Sequence, residues 1–259
     1  MRFCAYFLFF SFVFSSFISY AKVLPILLVY REDINFYQEM AQKLSLYIDR
    51  NIVLCPLSNW PNCASHNNYR YILVFGDLAY NKVLSSSLLL KNSKIFSFFV
   101  TKCNKKNNVC CGHLFPTLKE VVKILKKEFK NSKFLVLYTP KTKWWVDEYP
   151  SSDLSLFCLN VKDLKESLRK AFKNQAKVYI LAPDLLFMHP AFLKDLVKHS
   201  FLFSKILVGL SSKMQQYGVP IVIFYDYDFF WSNFSLDVLH SQKLDIPIRM
   251  SIASWYSKN

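Results

Sequence analysis

Short apolar runs alternate with amphipathic stretches along almost the whole chain. The runs predict strands at Val23–Tyr30, Ile52–Leu57, Tyr71–Phe75, Ile95–Val100, Phe134–Tyr138, Leu154–Leu159, Val178–Ala182, Ile206–Leu210, Pro220–Tyr225 and Ile246–Ile252. Most are apolar at every position rather than at every second one. That is the pattern of strands covered on both faces, as in parallel sheets flanked by helices. Between them, apolar residues recur at helical spacing. Phe36, Met40, Leu44 and Tyr47 mark a helix over Ile34–Tyr47, and Leu118, Val121, Val122, Leu125 and Phe129 mark one over Thr117–Phe129. Val161, Leu164, Leu168 and Phe172 mark a third, and further helices are expected at Phe192–Phe201 and Phe229–Leu239. Ser58–Asn68 reads as a polar loop with a Trp-Pro step.

The clearest single unit is Tyr69–Thr101. An apolar strand ends in Gly76-Asp77, a helix-compatible run follows, and a second strand returns after one crossover. Gly76 permits the tight turn, and Asp77 can cap a helix starting at Leu78. Repetition of this βα unit predicts an α/β fold with parallel sheets. The polar, Cys-rich stretch Lys102–Gly112 divides the units into two Rossmann-like lobes.

A hydrophobic fraction of 53% over 259 residues is ample for packed cores. The formal charge of +15 invites a nucleic-acid partner, but the lysines are scattered over helices without an Arg-rich patch or binding motif. The reading is a solvated basic surface, no nucleic-acid partner, and a weak attraction to anionic lipid headgroups. Residues 1–21 form an export segment: Met1-Arg2, an uncharged apolar run, then Ser19-Tyr20-Ala21 as a small-residue cleavage site. Cleavage there starts the mature chain at Lys22 in the periplasm or another extracytoplasmic space; an uncleaved membrane anchor is the alternative. Export puts the cysteines in an oxidising compartment. Cys55 with Cys63, and Cys103 with Cys110 or Cys111, are the expected loop clips.

No nucleophile elbow, dinucleotide-binding Gly motif, phosphate-binding loop or zinc-protease motif is present, and the five histidines lack metal-ligand spacing. No reaction, cofactor or metal is expected.

The order of landmarks is similar to that of ABC-transporter substrate-binding proteins of the tryptophan/tyrosine-uptake type, a branch of the type I periplasmic binding proteins. The matching stretches are Leu73-Val-Phe-Gly76-Asp77-Leu-Ala79, Phe96-Ser-Phe-Phe-Val100, Phe134-Leu-Val-Leu-Tyr138, Tyr179-Ile-Leu-Ala-Pro183-Asp184 and Ile206-Leu-Val-Gly-Leu-Ser211 leading to Tyr217-Gly218. The resemblance implies two lobes joined by a hinge, with a small-molecule ligand in the cleft between them. Lobe 1 then spans residues 22–108 with a return segment 220–242, and lobe 2 spans 109–219 with a C-terminal strand in 243–259. It implies an exported solute-binding protein for an ABC-type uptake system, with a permease as partner. The alternative is an envelope-associated interaction, sensor or accessory protein with the same fold and no transported ligand.

A cleft of this kind takes its ligand at the carboxyl ends of strands. The candidates are Arg31, Glu32, Gly76, Asp77 and Thr101 on lobe 1, Thr139, Asp184 and Ser211 on lobe 2, and Asp226 and Asp228 at the returning crossover. Several have local roles open to them. Asp77 and Asp228 suit helix caps, Asp184 suits a turn beside Pro183, and Arg31 suits a surface pair with Glu32 or Asp33. Asp226 and Asp228 alternate on an expected strand, which would turn both carboxylates one way. Trp144-Trp145 is either a cleft lip or a packed loop. Phe229-Phe230-Trp231 reads as the buried face of the last helix.

Overall fold

The uninterrupted apolar runs become the buried centres of two sheets. The computed structural model describes residues 25–48, 52–65, 69–86, 93–103, 108–234, 236–241 and 244–256. The expected export segment and Lys22 lie outside them.

The first sheet contains β1 (Ile26–Tyr30), β2 (Ile52–Pro56), β3 (Tyr71–Phe75), β4 (Lys94–Val100) and β5 (Val109–His113), in the order β2-β1-β3-β4-β5. β1 pairs in parallel with both β2 and β3, matching Val29 with Cys55 and Val74. All residues of β1 and β3 are buried, as their uninterrupted hydrophobicity requires. Helix α1 (Asn35–Tyr47) turns Met40, Ala41 and Leu44 inward. The expected loop Ser58–Asn68 instead holds α2 (Trp60–Ser65). Trp60 anchors it, 2% exposed, with its indole N–H donating to Ser86 Oγ at 3.0 Å. Cys55 and Cys63 form a disulfide that clips α2 to β2.

Helix α3 (Asp77–Ser85) begins one residue earlier than expected. Gly76 is its N-cap, and Asp77 is its first residue rather than a side-chain cap. The Asp77 carboxylate still lies in the first turn, where the helix dipole favours it. The polar connection Lys102–Gly112 holds the larger surprise, since its end is strand β5 at the edge of the sheet. Val-Cys-Cys-Gly-His carries neither apolar continuity nor alternation. The Cys103–Cys111 disulfide and pairing at the sheet edge supply what the sequence pattern lacks.

The second sheet has the order β11-β10-β9-β8-β6-β7. In chain order, α4 (Leu118–Glu128) leads to β6 (Phe134–Tyr138), α5 (Lys143–Asp147) to β7 (Leu154–Cys158), and α6 (Leu164–Phe172) to β8 (Val178–Leu181). Then α7 (Leu185–Met188) and α8 (Pro190–Leu202) lead to β9 (Ile206–Gly209), and a 3-10 turn, Ser212–Tyr217, leads to β10 (Ile221–Tyr225). The expected last helix is two, α9 (Tyr227–Ser232) and α10 (Leu236–Ser241), before β11 (Ile248–Ile252). Five strands run parallel, and β11 is antiparallel to β10. The expected return segment 220–242 therefore opens with a strand of this sheet. Its helices α9 and α10 follow, and Phe230, Trp231 and Phe234 of that segment cluster round Phe98 of β4.

Helix α4 forms as its stripe dictates. Leu118, Val121, Val122 and Leu125 are at most 1% exposed, each contributing about 2 kcal/mol by burial. Thr117 and Glu120 form a reciprocal capping box at its start. The chain divides into two compact units: Met1–Phe96 with Lys106–Val109, and Ser97–Lys105 with Cys110–Asn259, the division falling inside β4 and β5.

Candidate functional site

In the first unit, the carboxyl ends of the neighbouring strands β1 and β3 carry Arg31 with Glu32 and Gly76 with Asp77. Arg31 makes a bidentate pair with Asp33, the surface pair that the sequence left open. Glu32 accepts the backbone N–H of Leu57 at 3.1 Å, tying the end of β1 to the turn after β2. Hydrogen bonding from Ser58 holds the Glu32 carboxyl below its ordinary range. Gly76 is buried with φ of +83°, and a Cβ there would lie 2.7 Å from the Tyr37 hydroxyl. Burial raises the Tyr37 phenol, the Asp77 charge adds to this, and Arg31 opposes it. Tyr37 therefore shares the field of two candidate residues. It went unnoticed in the sequence because one tyrosine on an amphipathic helix carries no signal of its own.

In the second unit, Thr139 and Asp184 follow the adjacent strands β6 and β8, and they satisfy one another. The Thr139 hydroxyl donates to Asp184 Oδ2, and Asp184 Oδ1 accepts the Leu186 N–H at 2.8 Å. They are 2% and 6% exposed, forming a buried clasp between strand ends. Ser211 starts the turn after β9, and its side chain makes no cap. Asp226 caps α9 by accepting the Phe229 N–H at 3.1 Å, and it pairs with Arg249 at 3.4 Å. Asp228 is neither a cap nor on a strand. It sits exposed in the first turn of α9, because helix begins at Tyr227 and ends the expected alternation. Phe230 and Trp231 are buried as expected, whereas Phe229 is 57% exposed.

Thr101 belongs to the second unit and lines a crevice there with His113, Thr117, Trp144, Trp145 and Glu148. The enclosed space is about 10 Å³, room for about one water. Its walls are firmly held. Trp145 is 1% exposed and donates its indole N–H to Pro116 O at 3.0 Å. Trp144 is partly exposed, with the Lys102 ammonium 5.7 Å from its ring centre. The tryptophan pair thus divides into a packed residue and a lip. Tyr227 donates to His113 O at 2.6 Å, fixing the end of β5. Glu120, below Thr117, receives the Tyr225 hydroxyl at 2.9 Å. The lining carries a hydroxyl, an imidazole, a carboxylate and an indole face, with the Lys102 ammonium over that indole, a set suited to polar recognition beside an aromatic wall. Of these the sequence offers Thr101 as a candidate and Trp144 under one of its two readings, a cleft lip. His113 and Glu148 stand in segments without periodicity, and their convergence depends on β5 and α5, two elements that the sequence does not announce.

Among the described residues, no group of three or more His, Cys, Asp or Glu is placed to hold a metal, and no helix is long and apolar enough to cross a membrane.

No protein-family model and no curated protein matches the sequence. Solved structures do match. One is the ligand-free, open structure of a substrate-binding protein with adhesive properties from Clostridium difficile, 12% identical, covering 90% of this chain and 92% of that one with a TM-score of 0.68. Another is an ABC domain in complex with L-Trp from Streptococcus pneumonia, 12% identical, covering 84% of each chain with a TM-score of 0.49. At such identity the likeness is one of fold, and it agrees with two mostly parallel, helix-covered sheets. The chain has a type I periplasmic-binding-protein-like fold.

Proposed function

We propose that this chain is an extracytoplasmic solute-binding protein that takes a small organic molecule at the carboxyl ends of its strands. The observation that carries the proposal is the crevice of Thr101, His113, Trp144 and Glu148, set at strand ends in a fold where such ends face ligands. Lys102 lies over the Trp144 indole, and Glu148 lines the same crevice as that indole, so the two bring opposite charges to it. The crevice itself encloses room for about one water, so the molecule is taken on its open rim: an amino-acid-like zwitterion with an apolar body laid on the indole, the carboxylate taken by Lys102 and the amino group by Glu148. Arg31 and Asp77 are proposed as strand-end binding residues of the first unit, and Ser211 as one of the second. The L-Trp bound by the Streptococcus domain makes aromatic amino acids the first compounds to try. Delivery to an ABC-type permease is the proposed role, supported by the order of sequence landmarks.

A thermal-shift screen of the amino acids tests the reading. A true ligand at one hundred times its dissociation constant adds about 2.7 kcal/mol of stability. Trp144→Ala and Glu148→Gln should weaken that ligand at least tenfold while leaving the unliganded melting temperature nearly unchanged. A flat screen, or affinity indifferent to both substitutions, overturns it in favour of an interaction protein without a small ligand.

A further inference from the structure

The amino ends of the six-stranded sheet, opposite the strand ends just described, carry two features that the solute-binding reading does not use. The first is apolar. Phe201, Leu202 and Phe203 end α8 just before β9, and they are 61%, 79% and 41% exposed. Trp255, 52% exposed, follows β11, and its ring lies 5.8 Å from that of Phe201. Because β11 is antiparallel to β10, the end of β11 lies beside the start of β10; Ala253 N–H donates to Pro220 O at 2.8 Å. The aromatic cluster therefore sits on the amino-end face.

The second feature is basic. A concavity of about 710 Å³ at the starts of β6 and β7 is lined by Lys126, Lys130, Lys133 and the hydroxyls of Ser132, Ser152 and Ser155. Lys177, exposed, immediately precedes β8, and its N–H donates to Lys133 O at 3.2 Å, which puts it on the same face. Asp153 is the acidic residue of the lining, and it is paired with Lys126 at 2.6 Å. Lysines at helix C-termini are ordinarily explained by the helix dipole. Lys133 and Lys177 lie outside helices, and the dipole gives no reason for four large apolar side chains to stand in water at the same end of the sheet.

We infer that this face docks on an anionic lipid bilayer, with Phe201, Leu202 and Trp255 entering the headgroup region and the lysine concavity holding lipid phosphates. Aromatic side chains favour that interfacial layer, and each Lys near an anionic surface adds to the attraction. Bilayer rather than protein is favoured by complementarity: the chain carries +15 overall, and the apolar cluster shares the amino-end face of the sheet with a concavity that is basic. Docking by this face leaves the opposite strand ends exposed to solutes.

The test uses the full chain with phosphatidylcholine–phosphatidylglycerol vesicles whose acyl chains are brominated. Subtracting the signal of Trp255→Phe isolates the quenching of Trp255, whatever holds the rest of the chain at the membrane. The expected result is strong quenching of Trp255, lost in phosphatidylcholine alone, lost in 1 M salt where the screening length falls to about 3 Å, and lost in Lys130→Gln/Lys133→Gln/Lys177→Gln. Phe201→Ser/Leu202→Ser, both at exposed positions, should weaken it severalfold without altering the melting temperature. Absence of Trp255 quenching in anionic vesicles overturns the inference, as does quenching indifferent to the lysine substitutions. Shielding of Trp255 that rises with protein concentration and needs no lipid also overturns it, because the occupant is then a second copy of the chain.

Discussion

The Tyr225 hydroxyl donates to Glu120 Oε2 at 2.9 Å, joining the end of β10 to the first turn of α4 across 105 residues of sequence. The same oxygen accepts the backbone N–H and the hydroxyl of Thr117, each at 2.8 Å. One carboxylate oxygen thus serves both as half of a capping box and as the anchor of a distant strand.

The first prediction concerns this junction. Burial first, and then the Glu120 charge, push the Tyr225 phenol well above its ordinary value of 10.0. The folded state therefore keeps the proton, and the stability this contributes is complete below pH 10 and is lost as pH rises above it, when the unfolded chain ionises first. Tyr225→Phe should cost about 1.5 kcal/mol near neutrality, the worth of a hydrogen bond to a charged acceptor. One pH unit above the ordinary value, the gap between wild type and variant should shrink by about 1.4 kcal/mol. Urea denaturation of both proteins at the two pH values measures this. A gap independent of pH rejects the argument.

Gly76 supports a sharper mutational test. Its φ of +83° strains any side chain, and a Cβ would also meet Tyr37 Oη at 2.7 Å. Gly76→Ala should cost about 2 kcal/mol. In a Tyr37→Ala background the collision is gone and the backbone strain remains, so the Gly76→Ala penalty should fall but stay positive. A double-mutant cycle with no coupling shows that Tyr37 moves aside freely.

Both sheets were legible in the sequence because their central strands are apolar at every position, a pattern few other structures require. α4 was legible for the same reason, its stripe and its Thr117-to-Glu120 spacing agreeing. The disulfides could be read from loop lengths, though the choice between Cys110 and Cys111 could not, since adjacent positions on an unannounced strand differ only in the face they present. β5 stayed hidden because a short disulfide loop and pairing at the sheet edge hold it, neither of which leaves an apolar pattern, and α5 because its anchor, the Trp145 hydrogen bond to Pro116, reaches back 29 residues. The crevice depends on both, so Thr101 was found, Trp144 stayed open between cleft lip and packed loop, and His113 and Glu148 were not seen as companions. Asp184 and Asp226 were singled out for their place at strand ends. Their carboxylates accept backbone N–H bonds in the following helices, a cap role available to any Asp there.

That distinction yields a third prediction. Thr139 and Asp184 are buried and mutually bonded, so their first duty is structural. Thr139→Val keeps the shape and leaves Asp184 Oδ2 without this donor. The expected loss is about 2 kcal/mol of stability, the penalty of an unmet buried charged acceptor. Affinity for any ligand found in the screen should change less than threefold. A large affinity loss at unchanged stability would instead make the pair a contact of the ligand.

The last prediction separates the two disulfides by what each one holds. Peptide mapping without reductant should link Cys55 to Cys63 and Cys103 to Cys111, with Cys110 and Cys158 recovered as alkylated thiols. Both bonds span a sequence separation of 8, so chain entropy assigns them the same stabilisation, about 2.5 kcal/mol each. Their functional weight differs. Cys55–Cys63 clips α2 to β2 in the first unit and holds no element that lines the crevice, so Cys55→Ser/Cys63→Ser should lower the melting temperature alone. Cys111 lies in β5 and is tied to Cys103, two residues after Thr101, and β5 carries His113 to the crevice beside Thr101. Cys103→Ser/Cys111→Ser should therefore cost a similar amount of stability and also weaken ligand binding at least tenfold. Equal affinities in the two double variants would show that β5 keeps its place through sheet pairing and the Tyr227 bond to His113 O without the disulfide.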